Sequence, residues 1–278
     1  MKRILVPIDL RSDYENTLNY ARSVAQRAGA ELTLLLRAFP GLARSAVRGY
    51  TAGEDARLLP LPGTRAAQAL SAICQSLREE QVAFRLRFTS GRTIPAIIRE
   101  SERSSYDLLM VAGETVSGAF RWLRGAIATR LIGGVRVPVF VVPARSRFNE
   151  IRHITYAVDL NDYDPAIVQQ VKSIASLFDA KLTIAHVNET YQESDRERYL
   201  LSLERTISDT LDYPKVYYKF FDHADPFGGI KKFVSMSDSN LLAMINRKKF
   251  TWKDLFSPKS LTRKMAKEIS IPLLAFKK

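Results

Sequence analysis

The sequence predicts an α/β protein built from two tandem units, each a parallel sheet with helices on both faces. Three observations predict this: a long internal repeat, strands that read as near-continuous apolar runs, and helical periods between those runs. RILVPIDLRSDYENTLNYARSVAQRAGAELTLLLR lies over HITYAVDLNDYDPAIVQQVKSIASLFDAKLTIAHV at a constant offset of 150. Ile4 and Ile154, Asp9 and Asp159, Leu10 and Leu160, Ala25 and Ala175, Ala30 and Ala180, Leu32 and Leu182, and Thr33 and Thr183 coincide. The ends of the copies repeat as well. DLLMVAG (107–113) matches NLLAMIN (240–246), and VPVFVV (137–142) matches IPLLAF (271–276). The offset there is 133 to 134, so the second copy has a shorter middle. The junction falls at residues 143–151, which gives units at 1–146 and 151–278.

Taken in order, ILVPID is a fully apolar strand in copy one. Ser12 and Glu15 then form an S-x-x-E capping box, and Leu18, Ala21, Val24, Ala25 and Ala28 mark one face of the helix that follows. In copy two, Asn161 and Pro165 start the equivalent helix, whose face is Ile167, Val171, Ile174, Ala175 and Phe178. The next strands are ELTLLL and KLTIAHV, then AFRLRF and KVYYKFF, then DLLMVA and NLLAMI, and finally the two terminal apolar runs. A parallel sheet needs a helical crossover after each strand, and the intervening periods supply it.

Composition narrows the function classes. The chain has 278 residues and is 46% hydrophobic, enough to bury two cores. No run of eighteen apolar residues occurs, and MKRILVPIDL enters a strand without a signal-peptide core, so an unexported, cytoplasmic protein is expected. Cys74 is the sole cysteine, which excludes an intrachain disulfide and a thiolate metal cluster. The net charge of +13 is uneven. Residues 1–147 hold 22 basic and 12 acidic side chains, residues 148–278 hold 20 and 17, and the basic residues of the first half are nearly all arginine. Such a surface suits polyanions, although solubility alone accounts for it more simply.

The carrying residues ILVPID with Asp9, DLLMVAG, the glycine segment AGETVSGAFRWLRGAIATRL and VPVFVVP, together with IRHITYAVDL and ISIPLLAF in copy two, resemble the universal stress protein family over essentially the whole chain. The resemblance implies a five-stranded, doubly wound sheet of order 3-2-1-4-5 in each unit. It also implies pairing of the two units as a pseudo-dimer through their fifth strands. A further homodimer and a protein partner of open identity are compatible with it. Members that bind ATP with Mg hold adenine and ribose by the first and second strand ends, and phosphates on a loop like G-x-x-G-x9-G-[ST]. Carried over, Pro7, Ile8 and Asp9 match the adenine and ribose edge, and Ala38 follows the second strand. Gly113, Ser117, Gly118, Gly125 and Ala126 fall on the phosphate loop, with Arg121 and Arg124 beside it. The loop departs from the pattern: Val116 stands near an expected glycine, and Ala126 replaces the closing hydroxyl residue. Any adenine nucleotide is therefore expected in copy one alone, bound weakly. Copy two carries NRKKFTWKDLFSPKSLTRK with no glycine, and Pro258 stands where Gly125 does.

The remaining motifs read as structural. The basic and aromatic segment 247–267 suits single-stranded nucleic acid, and it suits better a loop with docked aromatics and solvated lysines. Residues 38–62, with Arg44, Arg48 and Arg57, are either a lid over the crevice or an excursion. His153, His186 and His223 have no metal-ligand spacing, and Asp159, Asp162 and Asp164 read as helix N-terminal acids. Cys74 lies on an apolar stripe with Leu70, Ile73 and Leu77. No catalytic constellation is expected, so the leading reading is a stress-response regulatory protein that acts by binding or interaction without turnover. The alternatives are an ATP-binding regulator and a non-specific polyanion binder.

Overall fold

Each long apolar run forms a buried strand, and each helical period lies against it. The computed structural model describes residues 1–10, 14–37, 63–89, 93–113, 121–144, 146–159, 164–188, 193–208, 211–246 and 260–278. It divides into two units, Met1–Phe148 and Asn149–Lys278.

The first unit runs β1 (Arg3–Ile8), α1 (Glu15–Ala28), β2 (Glu31–Arg37), α2 (Arg65–Glu79), β3 (Phe84–Thr89), α3 (Thr93–Arg103), β4 (Leu108–Ala112), α4 (Arg121–Gly134) and β5 (Val139–Val142). Its strands are ordered β3-β2-β1-β4-β5, and every neighbouring pair is parallel. Central β1 is flanked on both sides, so Ile4, Leu5 and Val6 are all fully buried and the strand reads apolar throughout. Burying a side chain of this size stabilises by roughly 1.5–3 kcal/mol. Edge strand β3 alternates instead, with Leu86 inside and Arg85 and Arg87 outside. Arg85 closes the edge with a bidentate pair to Glu31 on β2, Nε to Oε1 at 2.5 Å and Nη2 to Oε2 at 2.7 Å.

The second unit repeats this as β6 (His153–Ala157), α5 (Pro165–Leu177), β7 (Lys181–Asn188), α6 (Glu193–Ser208), β8 (Val216–Asp222), α7 (Pro226–Met236), β9 (Leu241–Asn246), α8 (Leu261–Glu268) and β10 (Leu273–Lys277). Its order is β8-β7-β6-β9-β10, again parallel at every step. The expected 3-2-1-4-5 order thus holds in both copies. Helices cover both faces. No described helix is long and apolar enough to cross a membrane.

Helix starts follow local chemistry. Thr64, Asp164, Asp225 and Ser260 cap α2, α5, α7 and α8, each accepting from a first-turn amide. Asp164 is thereby the helix N-terminal acid expected of it, with Pro165 at the first position. Asn161 and Asp162 lie outside the described residues. At α1 the structure differs from the predicted capping box. Tyr14 is the cap and makes no side-chain cap bond, so Glu15 sits at the first helical position, two residues earlier along the helix than a box requires. Its carboxylate still meets the positive end of the helix dipole. Ser12 lies outside the described residues.

The segment after β5 is tied to α1. Asn16 Nδ2 donates to Ser146 O at 2.7 Å and to Ser146 Oγ at 3.0 Å, and the Tyr20 ring packs on Phe140 and Phe148. This anchors the first unit's C-terminal end on its own helix.

Candidate ligand crevice at the strand ends

In a doubly wound sheet the strand order reverses between the first and fourth strands, and helices leave their carboxyl ends in opposite directions. In the first unit that point lies past β1 and β4. The register pairs Ile4 with Leu108 and Leu5 with Leu109. Continued along both strands, it brings Asp9 level with Gly113. Ile8 is buried, Pro7 is half-buried, and Asp9 is exposed beyond the strand end. The sheet therefore brings Pro7, Ile8, Asp9 and Gly113 together. Ala38, Val116, Ser117, Gly118 and the whole of residues 38–62 lie outside the described residues.

Gly113 has a structural reason to be glycine. Its amide donates to Val142 O at 2.5 Å, and a Cβ would stand 2.9 Å from that oxygen and 3.1 Å from Pro143 Cα. The close approach of β4's end to β5's end needs a bare backbone, with or without a ligand. Gly125 and Ala126 fall inside α4, which begins at Arg121. Only the amides of the cap and the first three residues of a helix lack an intrahelical acceptor, so the donors that α4 itself can offer an anion belong to residues 121–123. Gly125 and Ala126 come after them.

The same place in the second unit is closed by side chains. Asn246 stands where Gly113 does and is 1% exposed. Ser260 Oγ donates to Asn246 Oδ1 at 2.6 Å while also capping α8 through the Arg263 amide at 3.2 Å. Thr262 Oγ1 donates to Ile245 O at 2.8 Å. Two hydrogen bonds thus draw the start of α8 onto the end of β9, across the gap an anion would occupy. Beside it, His186 at the end of β7 donates from Nδ1 to Val158 O at 2.9 Å and packs near the Phe220 ring. His186 is a structural histidine. The closure by Asn246, Ser260 and Thr262 was missed in the sequence, although Asn246 against Gly113 in the paired runs NLLAMIN and DLLMVAG was its signal. Residues 247–259, including Pro258 and most of the basic and aromatic segment, lie outside the described residues.

Other chemistry-bearing groups stand apart from the crevice. Cys74 is buried on α2, and burial pushes its thiol up to about 11, so it stays a thiol at neutral pH. A groove of about 580 Å³ lies beside β3 and α3, lined by Phe88, Thr89, Arg99, Glu100 and Arg103 among others. Its charges are mixed in sign, and it includes neither Asp9 nor Gly113. Among the described residues no group of three or more histidine, cysteine, aspartate or glutamate side chains is placed to hold a metal ion.

A tandem, doubly wound α/β chain whose second unit bridges its strand ends through Asn246 and Ser260 defines the class. Residues 1–143 match the universal stress protein family, and the chain belongs to that family. Solved structures share the fold across both units. A functionally unknown protein from Pseudomonas aeruginosa PAO1 is 16% identical, with a TM-score of 0.71 over 100% of this chain and 92% of that one. A universal stress protein from Archaeoglobus fulgidus DSM 4304 is 14% identical, with a TM-score of 0.66 over 99% of this chain and 96% of that one. The cytoplasmic domain of a prokaryotic cation chloride cotransporter is 14% identical, with a TM-score of 0.56 over 99% of this chain and 94% of that one. At these identities the likeness is one of fold. No curated protein matches the sequence.

Proposed function

We propose that the chain is a cytoplasmic stress-response regulatory protein that works by binding and interaction, without turnover chemistry. Its ligand is an adenine nucleotide held weakly in the first unit, and the second unit is a sealed copy. The observation that carries this reading is the bond from Ser260 to Asn246, which bridges the second unit's strand ends at a place where the first unit has Gly113 and no side chain. In the first unit the Asp9 carboxylate accepts from a ribose hydroxyl, and the first-turn amides of α4 face the phosphates. In the second unit Asn246 and Ser260 satisfy each other where those phosphates would lie.

Titration calorimetry of the full chain with Mg-ATP tests it. One nucleotide per chain is expected, with no ADP formed over the titration. Asp9→Ala removes a charge-assisted hydrogen bond of about 1.5–3 kcal/mol and should weaken binding roughly ten- to a hundredfold, whereas Asp159→Ala should leave it unchanged. Two nucleotides per chain, or equal affinity after Asp9→Ala, would overturn the assignment.

A further inference from the structure

At the amino-terminal edge of the second unit, His153 opens β6 with 6% of its surface exposed. Its Nε2 lies 2.7 Å from Thr183 Oγ1 on β7, and its Nδ1 is buried with no hydrogen-bond partner among the described residues. Either tautomer leaves one ring nitrogen unsatisfied. If Nε2 carries the proton it donates to Thr183 and Nδ1 is a bare lone pair. If Nδ1 carries it, a buried N–H has no acceptor. A second proton would make an imidazolium with an unanswered N–H.

The surrounding groups do not rescue that cation. On β7 the register partner is Lys181, whose ammonium sits 4.7 Å from the centroid of the Tyr217 ring on β8 and adds a like charge. On the approach to β9, Asp238 is the opposing carboxylate. On the histidine's own strand, Arg152 faces Glu150 at 3.5 Å. Burial first, then Lys181, holds the His153 ring below the ordinary histidine value, against the pull of Asp238. The same corner carries a row of hydroxyls, with Thr155 and Ser239 buried and Ser237 half-buried. Thr155 Oγ1 meets Ser239 Oγ, and Ser237 Oγ donates to Ser239 Oγ at 2.8 Å. In the first unit the corresponding residue is Arg3, whose charge is permanent and which lies over the Tyr106 ring.

We propose that this corner is an acid-operated latch: protonation of His153 frees the start of β6 from β7 and from the approach to β9, and admits water to the hydroxyl row. The sign follows from the lowered value. Above the unfolded histidine value, about 6.5, the latch is fully closed. As pH falls below that toward the folded value, the open form binds the extra proton and gains population. The first unit, with arginine in this place, keeps its corner closed over the same range.

The test is an imidazole titration by NMR, with amide hydrogen exchange on the full chain between pH 7.5 and 5. His153 should titrate below the ordinary histidine value of about 6.5, and amides of residues 153–157 and 181–185 should gain about tenfold in opening per unit of pH below the onset. Those of β1 and β2 should not. His153→Leu should abolish the acid dependence, and Thr183→Val, which removes the Nε2 partner, should move the closed-state titration of His153 while leaving the onset near about 6.5. His153 titrating at or above the ordinary histidine value of about 6.5, or equal opening of β1 and β2, would overturn the latch without recourse to any variant. So would an unchanged acid dependence in His153→Leu.

Discussion

The residue just before the fourth strand of each unit performs the same task in both copies, with different chemistry. In the first unit Asp107 Oδ2 accepts from the amides of Lys2 and Arg3 at 2.5 and 2.9 Å, and its own amide donates to Arg3 O at 2.9 Å. In the second, Asn240 Oδ1 accepts from Arg152 and His153 at 3.1 and 3.0 Å, and its amide donates to His153 O at 3.0 Å. Each clasp sets the register between two strands that are neighbours in the sheet and far apart in the chain. Burial pushes Asp107 up, but the two amides, the N-terminal ammonium and Arg3 outweigh it and hold the carboxyl below the ordinary aspartate value. Its stabilisation is therefore present above the unfolded value near 3.9 and is lost as pH falls through the folded one. Asp107→Asn should keep near-parent stability at pH 7, since Asn240 does the same work, and should flatten the loss of stability in urea melts below pH 4. Asp107→Ala should cost about 0.5–1.5 kcal/mol at pH 7, at the low end because water reaches the exposed site. Equal acid loss in Asp107→Asn and the parent would show that the clasp does not govern it. The Asp-to-Asn match was visible in the paired runs DLLMVAG and NLLAMIN. Its role was not, because an amide acceptor has meaning only once the fourth strand is known to lie beside the first.

Helix faces were legible at the scale of the element, and helix ends less so. All five positions expected on the buried face of α5 and its cap are buried, as are four of the five expected on α1, with Ala28 only half so. A period of 3.6 residues is a property of the helix alone, whereas a cap depends on where the preceding loop turns. The ends of α1 and α5 make the contrast concrete. Gly29 closes α1 in the left-handed region at φ +58°, and its amide and that of Ala30 reach back to the last turn. At the same point after α5, Asp179 adopts φ +51°. A residue with a Cβ pays for this conformation, aspartate less than most. Asp179 also faces Lys215, Nζ to Oδ2 at 2.6 Å, in an exposed pair that salt and water screen. Backbone strain should outweigh that pair. Asp179→Gly is expected to stabilise by up to ~1 kcal/mol, read as a higher urea midpoint at unchanged slope. A lower midpoint would mean that the pair with Lys215 outweighs the strain.

Across the whole chain, duplication and layering could be read from offsets and apolar runs, while strand order entered through a family resemblance, because periodicity does not say which strands are neighbours. The strand ends were legible only in part, since the second unit closes its own with contacts, Asn246 to Ser260 and Thr262 to Ile245, that join segments distant in sequence. Net charge is the property most easily over-read at this scale. The 22 basic side chains of residues 1–147 exceed the 12 acidic ones by ten, which invites a nucleic-acid reading. Several of those arginines already face carboxylates: Arg22 meets Glu80, Arg85 grips Glu31, and Arg87 lies 4.0 Å from Glu100. A paired arginine must give up its partner before it can neutralise a phosphate, so fewer counterions are released than the count suggests. Retention on heparin or single-stranded DNA should therefore be weak and sequence-independent. The slope of log affinity against log salt should correspond to only about three or four phosphates, and binding should vanish near ~0.15 M salt. Arg85→Gln and Arg22→Gln should change that slope less than loss of an unpaired arginine would, because each guanidinium already faces a carboxylate. Binding that survives to ~0.3 M salt with a steeper slope would mean that the arginine surface is a working nucleic-acid interface, and would displace nucleotide binding as the function proposed for the first unit.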